Sequence, residues 1–200
     1  MRLIIAEKPS LGRAIAQYLP SRGETTKTHI IAGSDTVTWC FGHLLEMAEP
    51  EDYDPALKQW SADKLPIIPN EWKLLPRRDA KAQIAVIKKL LKMADSVVNA
   101  GDPDREGQLL VDELLEHLDN RKPVSRIWLA ALDEASVRTA LASMRPNEGF
   151  ANLRNSAEAR QRADWLVGVN LTRAYSIVGQ SKAIAVFCRS AACKPRPLPW

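Results

Sequence analysis

The sequence predicts an α/β fold: a mostly parallel sheet with helices on both faces, followed by a helical stub of a second domain. Three observations carry this expectation. The apolar runs RLIIA (Arg2–Ala6) and SVVNA (Ser96–Ala100) have the length and composition of buried strands. Each is followed within a few residues by apolar positions at helical spacing. Strands that alternate with helices in this way imply parallel pairing, because a crossover helix returns the chain to the same edge of the sheet.

The elements follow in order. After the first strand come Glu7, Lys8 and Pro9, the last suited to the first turn of a helix, and then Leu11, Ala14, Ile15, Tyr18 and Leu19 recur at helical spacing until Pro20. Thr28–Ala32 and Thr36–Cys40 read as two strands around a Gly33-Ser34-Asp35 turn, with Gly42-His43-Leu44 beyond them. From Glu46 to Arg78 the text is irregular and rich in Pro, Trp and acid. It reads as an ordered excursion anchored by Trp60 and Trp72, too apolar for a linker. Asp79–Met93 is an amphipathic helix with Ile84, Ile87, Leu90 and Leu91 inward and its lysines solvated. Ser96–Ala100 then runs straight into GDPDREGQ, after which Leu109, Leu110, Leu114, Leu115 and Leu118 outline a helix. Arg126–Ala130 reads as another strand, and Asp133 caps a helix through Met144. Arg145–Gly149 is a boundary candidate, followed by one long Arg-bearing helix over Asn152–Tyr175.

Composition bounds the function classes. Two hundred residues at 22.3 kDa suffice for one domain, or one domain and the start of another. Hydrophobic residues at 46% and charged residues at 26% exclude fibrous and disulfide-scaffold classes. No apolar stretch approaches the roughly 20 residues a bilayer requires, and Met1–Ala6 is too short for a signal peptide, so a cytoplasmic protein with no membrane partner is expected. Three cysteines cannot all pair, and Cys188 and Cys193 lack further ligands at zinc spacing. The net charge is +4, but Ala183–Trp200 carries three bases and no acid, which leaves 25 basic against 24 acidic residues before it. Any nucleic-acid site must therefore be a local patch.

Chemistry concentrates at Asp102-Pro103-Asp104-Arg105-Glu106-Gly107, where a strand ends and a helix begins. In an open parallel sheet, ligands bind beyond the carboxyl ends of the strands. Asp102 and Asp104 can turn both carboxylates toward one point, with Glu106 a turn further on. Crowded carboxylates repel unless a cation sits among them, and hard oxygen ligands favour Mg²⁺. Glu7 ends an apolar strand in the same way. If the two strands are neighbours, four acids and Lys8 share one rim. The plainer alternative, a solvated DxDxE loop and a surface Glu7-Lys8 pair, is weakened by this repeated strand-end placement.

A strand-ending Glu followed far downstream by strand-DxD-helix resembles the TOPRIM domain. The stretches IAEKPSLGRAIA, GHLLEMAEPEDYDP, LPIIPNEWKL and NAGDPDREGQLLVDELL narrow this: from Met1 to about Lys182 the chain resembles the N-terminal part of bacterial type IA DNA topoisomerases of the topoisomerase III kind. The resemblance implies ATP-independent, Mg²⁺-dependent cleavage and rejoining of single-stranded DNA. It implies Glu7, Asp102, Asp104 and Glu106 as metal ligands, with Glu7 and Lys8 catalytic and Lys8 on the scissile phosphate. The tyrosine nucleophile of that family lies in a separate domain, and Tyr18, Tyr53 and Tyr175 do not sit in its motif, so the chain by itself is expected to be inactive. SAEARQRADWLVGVNLTRAYS resembles the start of the next domain and places Arg160, Asp164, Asn170 and Arg173 as DNA-contacting positions. Arg160 and Asp164, four apart, share a helix face, and an exposed salt bridge is the plainer reading. For His43 and for Trp60 and Trp72, structural roles are the expectation ahead of DNA contact. The implied partner is single-stranded DNA, the state monomeric, and no particular helicase is indicated. A free-standing TOPRIM nuclease or primase-like protein, or a non-catalytic DNA-binding module, are the alternatives.

The expected division is a TOPRIM domain over 1–149, the start of a DNA-gripping helical domain over 150–182, and an aberrant tail over 183–200. The tail, AIAVFCRSAACKPRPLPW, departs from the resemblance abruptly. One codon choice for it, read two bases on, gives YRRVLSVGRVQTPPLAV, and LSVGRVQTP resembles the segment topoisomerases III carry there. The expectation is a truncated chain with a frameshift near the Lys182 codon.

Overall fold

A computed structural model of the protein describes residues 1–21 and 23–181. The expected tail falls outside them. In chain order the elements are β1 (Arg2–Ala6), α1 (Pro9–Gln17), β2 (His29–Ala32), β3 (Asp35–Trp39), β4 (Leu45–Met47), α2 (Pro50–Tyr53), β5 (Leu74–Pro76), α3 (Lys81–Met93), β6 (Ser96–Ala100), α4 (Arg105–His117), β7 (Val124–Arg126), α5 (Glu134–Ala142), β8 (Arg145–Pro146) and α6 (Ala151–Ser181). Short 3₁₀ turns occupy Pro55–Lys58, Ala62–Lys64 and Asn147–Phe150.

Six strands form one sheet in the order β2-β3-β1-β6-β7-β8, and β4 pairs with β5. The four central strands are parallel, with antiparallel partners β2 and β8 at the edges. Alternate residues of a strand face opposite sides. Ile4, Ala6, Val98 and Ala100 pack with Leu11 and Ile15 of α1 and Val137 and Ala140 of α5. On the opposite face, Gln83 of α3 donates to Thr38 Oγ1 (3.3 Å) and the Trp39 carbonyl (2.7 Å), while Asn99 donates to Asp112 of α4 at 3.1 Å. The helices thus cover both faces, as expected of a parallel sheet.

Register sets up the functional rim. Ala6 lies opposite Ala100 between β1 and β6, so the residues that follow each strand leave the sheet at the same edge. Two sequence expectations shift. The strand expected over Arg126–Ala130 is β7, Val124–Arg126, because the ladder to β6 runs out at the Asn99–Arg126 rung. Ile127 and Leu129 are buried as core without being strand. The boundary expected at Arg145–Gly149 begins with β8, which pairs antiparallel with β7 and closes the sheet.

The described residues divide into two compact units, one of Met1–Glu46 with Leu75–Glu158, the other of Met47–Leu74 with α6 from Ala159. Met47–Leu74, the larger part of the excursion, thus groups with α6 from Ala159. Its tryptophan anchoring accounts for this: the Trp72 ring meets Trp165 edge-on at 5.5 Å, Tyr53 meets Trp165 at 6.0 Å, and Trp165 Nε1 donates to the Ala48 carbonyl at 3.0 Å. Among the described residues no helix is long and apolar enough to cross a membrane.

Candidate metal and nucleic-acid site

The rim is built by β1 and β6. The Asp102 backbone N–H donates to Glu7 Oε2 at 2.9 Å, so the first acid and the DPD loop, 95 residues apart, are in contact. Lys8 Nζ donates to Asp102 Oδ2 at 2.6 Å with half of the lysine side chain exposed. Asp104 caps α4, its Oδ1 accepting from Gly107 N at 2.7 Å, and its own N–H donates to the Asp102 carbonyl at 2.8 Å. Glu106, in the first turn of α4, pairs with Arg105 at 3.3 Å.

Electrostatics follow from this crowding. Burial raises the pKa of the Glu7 carboxyl, and although the Asp102 N–H opposes that, the charges of Asp102 and Asp104 raise it further against the pull of Lys8; the net shift is upward. The Lys8 pKa is raised chiefly by its hydrogen bond to Asp102, so its ammonium stays charged. Three carboxylates, one of them resisting ionisation, are the hard-oxygen donor set that a divalent cation relieves. As they stand, no three acidic, histidine or cysteine side chains among the described residues are arranged to hold an ion. Glu7, Asp102 and Asp104 each accept a hydrogen bond that an ion would have to share or displace. The hard oxygen donors suit Mg²⁺; Glu7 is in hydrogen-bond contact with the loop, and Glu106 pairs with Arg105.

Beside the rim, the Gly42 N–H approaches the Glu7 carbonyl at 3.4 Å, and His43 Nδ1 lies 2.6 Å from Oε1 of Glu113, a residue only 3% exposed. Burial disfavours the imidazolium, but the hydrogen bond and charge of Glu113, with Glu106 and Glu7 behind it, outweigh burial and raise the His43 pKa above 6.5. The stabilisation is therefore complete below pH 6.5 and is lost as pH rises through the folded value. Urea midpoints compared at pH 6 and pH 9 should fall more for the wild-type chain than for His43→Gln; an equal fall would remove the pair from the stability account. Cys40 is buried, and burial pushes its thiol pKa up, leaving it an unreactive core residue.

The positions expected on α6 lie in the second unit and divide in two. Arg160 and Asp164 face each other at 3.7 Å with partly exposed side chains. Asn170 instead clamps the excursion: its Oδ1 accepts from Ile67 N at 2.6 Å and its Nδ2 donates to the Ile67 and Leu166 carbonyls, each at 2.9 Å. Arg173, 5% exposed, donates to the Leu57 carbonyl at 2.5 Å and stacks over Trp60 at 5.1 Å. Those polar groups are engaged within the unit.

Sequence reasoning passed over the layer beneath the rim. Asp112 Oδ1 accepts from Asn99 (3.1 Å) and Asn147 (2.8 Å), and its Oδ2 accepts from Gln108 (2.7 Å). Gln108, Asp112 and Glu113 are polar residues on an otherwise apolar, buried helix, and that mismatch was the available signal.

This sheet, with a Glu ending one central strand and a DPD loop ending its neighbour, defines a Toprim domain: residues 2–132 match the Toprim domain family, and the chain belongs to it. Within that class the chain is similar to DNA topoisomerase 3. It is 52% identical over 185 residues to DNA topoisomerase 3 of Haemophilus influenzae, covering 90% of this chain and 28% of that protein. It is 48% identical over 186 residues to the Salmonella typhimurium protein of the same name (90% and 29%), and 36% identical over 174 residues to that of Staphylococcus epidermidis (86% and 24%). The chain thus spans about a quarter of these relatives' length. The fold also matches full-length topoisomerase I from Thermotoga maritima, with a TM-score of 0.58 and 17% identity, over 85% of this chain and 25% of that one.

Proposed function

We propose that this chain supplies the Mg²⁺-binding acidic site of a type IA DNA topoisomerase, for cleavage and rejoining of single-stranded DNA. The observation that carries this is the contact of Glu7 with the Asp102 N–H, which brings acids from two adjacent parallel strands to one rim beside Lys8. Glu7, Asp102 and Asp104 would hold the ion, together with Glu106 in the first turn of α4. When bound, Mg²⁺ neutralises charge on phosphate oxygens. Lys8 offers an ammonium to the scissile phosphate, stabilising charge where it develops. Arg160, oriented by Asp164, contacts the DNA backbone, while Asn170 and Arg173 serve by holding the excursion against α6. Repulsion between the rim acids and DNA makes binding dependent on the ion. The setting is cytoplasmic and the state monomeric.

We assign the attacking hydroxyl to none of Tyr18, Tyr53 and Tyr175; Tyr53 accepts from Lys73 N at 3.1 Å within the second unit. The chain alone should therefore bind a fluorescent single-stranded oligonucleotide weakly, more tightly with Mg²⁺, and leave supercoiled plasmid unrelaxed. Lys8→Ala should weaken that binding several-fold and flatten its salt dependence by about one phosphate contact. Relaxation or metal-dependent nicking by the chain alone, abolished by Asp102→Asn, would overturn this assignment in favour of a self-sufficient enzyme.

A further inference from the structure

Arg126 ends β7 with its side chain 1% exposed, yet among the described residues it makes its hydrogen bonds to carbonyl oxygens and one amide oxygen rather than to a carboxylate. Nη1 donates to the carbonyls of Gly101 (2.8 Å), Ile127 (3.0 Å) and Asn99 (3.2 Å) and to Asn99 Oδ1 (3.4 Å). Nη2 donates to the Asp102 carbonyl at 2.6 Å. That carbonyl also accepts from the Asp104 N–H, and the Asp102 N–H in turn reaches Glu7. One guanidinium thus grips the peptide through which all three rim acids are related. A buried guanidinium carries a large desolvation cost; burial lowers its pKa to about 10 even though Asp112, Asp104, Glu7 and Asp102 all favour its charge. A residue kept for sheet packing alone has no need of that charge.

We propose that Arg126 is the positioning residue of the acidic rim: by holding the Gly101 and Asp102 carbonyls from below, it fixes the aim of the Asp102 and Asp104 carboxylates and so sets the affinity for a divalent ion. The proposal rests on the reading of the rim as a metal site. A fork of parallel N–H donors suits this task, because it spans neighbouring carbonyls that a point-like ammonium engages one at a time. Its positive charge also offsets crowding among the acids in a medium of low polarity.

The test uses the full chain with Arg126→Lys and Arg126→Met. Amide hydrogen exchange reports positioning without any metal, and titration with Mn²⁺ followed by electron paramagnetic resonance reports affinity. In Arg126→Met, protection at the Asp102, Asp104 and Gly107 amides should fall at least tenfold relative to Val98 in β6, and Mn²⁺ affinity should fall at least tenfold. Arg126→Lys, which keeps the charge and guards against a variant that fails to fold, should lie between Met and wild type in both. Unchanged protection at the loop overturns the positioning claim. Lost protection with wild-type Mn²⁺ affinity overturns the link to the ion, as does Lys behaving like Met in a folded chain. Absence of Mn²⁺ binding by the wild type defeats the metal reading and the proposal with it, and the exchange data then show whether the grip on the loop itself stands.

Discussion

Gly107→Ala should destabilise the chain by about 1–3 kcal/mol and abolish the divalent-ion response, although helix propensity alone argues the other way. Gly107 lies in the first turn of α4, where alanine is preferred to glycine by about 1 kcal/mol. Against this, a Cβ at Gly107 would lie 2.5 Å from both N and O of Asp102 and 2.8 Å from Glu7 Oε2. Overpacking that forces side chains and backbone to shift costs about 1–3 kcal/mol. Here two of the three obstacles are backbone atoms of the metal loop, so the clash prevails. The only route to relief is to push Asp102 away from α4, which separates it from Glu7. Gly149→Ala, where a Cβ meets nothing within 4 Å, is the matched control and should stay within about 0.5 kcal/mol of wild type. Urea denaturation of both variants decides the matter: a neutral or stabilised Gly107→Ala would mean that the close approach of helix and loop is not a constraint.

Part of this site is written in the local sequence and part only in the fold. β1 and β6 could be read because a fully buried parallel strand is a short apolar run, and the acids after each run stand out against it. Their adjacency is a matter of register, a long-range fact that no local pattern contains. β7 lies earlier than its apolar text suggests, because Ile127 and Leu129 are apolar for burial in the core while the ladder to β6 ends at Arg126. β8 is an Arg-Pro pair with no strand signal; it exists because β7 offers it an edge. Trp60 and Trp72 pack as residues of their type commonly do, but their partners on α6 lie about a hundred residues away. For the same reason Asn170 and Arg173 read as DNA-contacting positions in the sequence, and Arg126 as the first residue of a strand. A side chain's type is local information, whereas whether its donors are already engaged depends on the whole fold.

Asp104 separates the fold from the chemistry, because its carboxylate has two roles that different substitutions divide. It caps α4 through Gly107 N, a role asparagine can fill with its side-chain oxygen and alanine cannot. It also contributes negative charge to the rim, which neither replacement supplies. Without metal, Asp104→Ala should lose about 1 kcal/mol from the missing cap, while Asp104→Asn should stay near wild type, since removing one charge beside Glu7 offsets a slightly poorer acceptor. With Mg²⁺ at ten times its dissociation constant, mass action stabilises the wild-type chain by about 1.4 kcal/mol, a rise in melting temperature of roughly 3–6 °C for a chain of this size. Both variants should show almost none of that rise, and Asp102→Asn combined with Asp104→Asn should show none at all. The informative comparison is Asn with Ala: unequal stability without the ion together with an equal, absent response to it identifies the lost charge, and not a frayed helix, as the cause. If Asp104→Asn kept the full Mg²⁺ shift, the ion would have to be held elsewhere, and the contact between Glu7 and the Asp102 N–H would be an internal brace of the sheet edge.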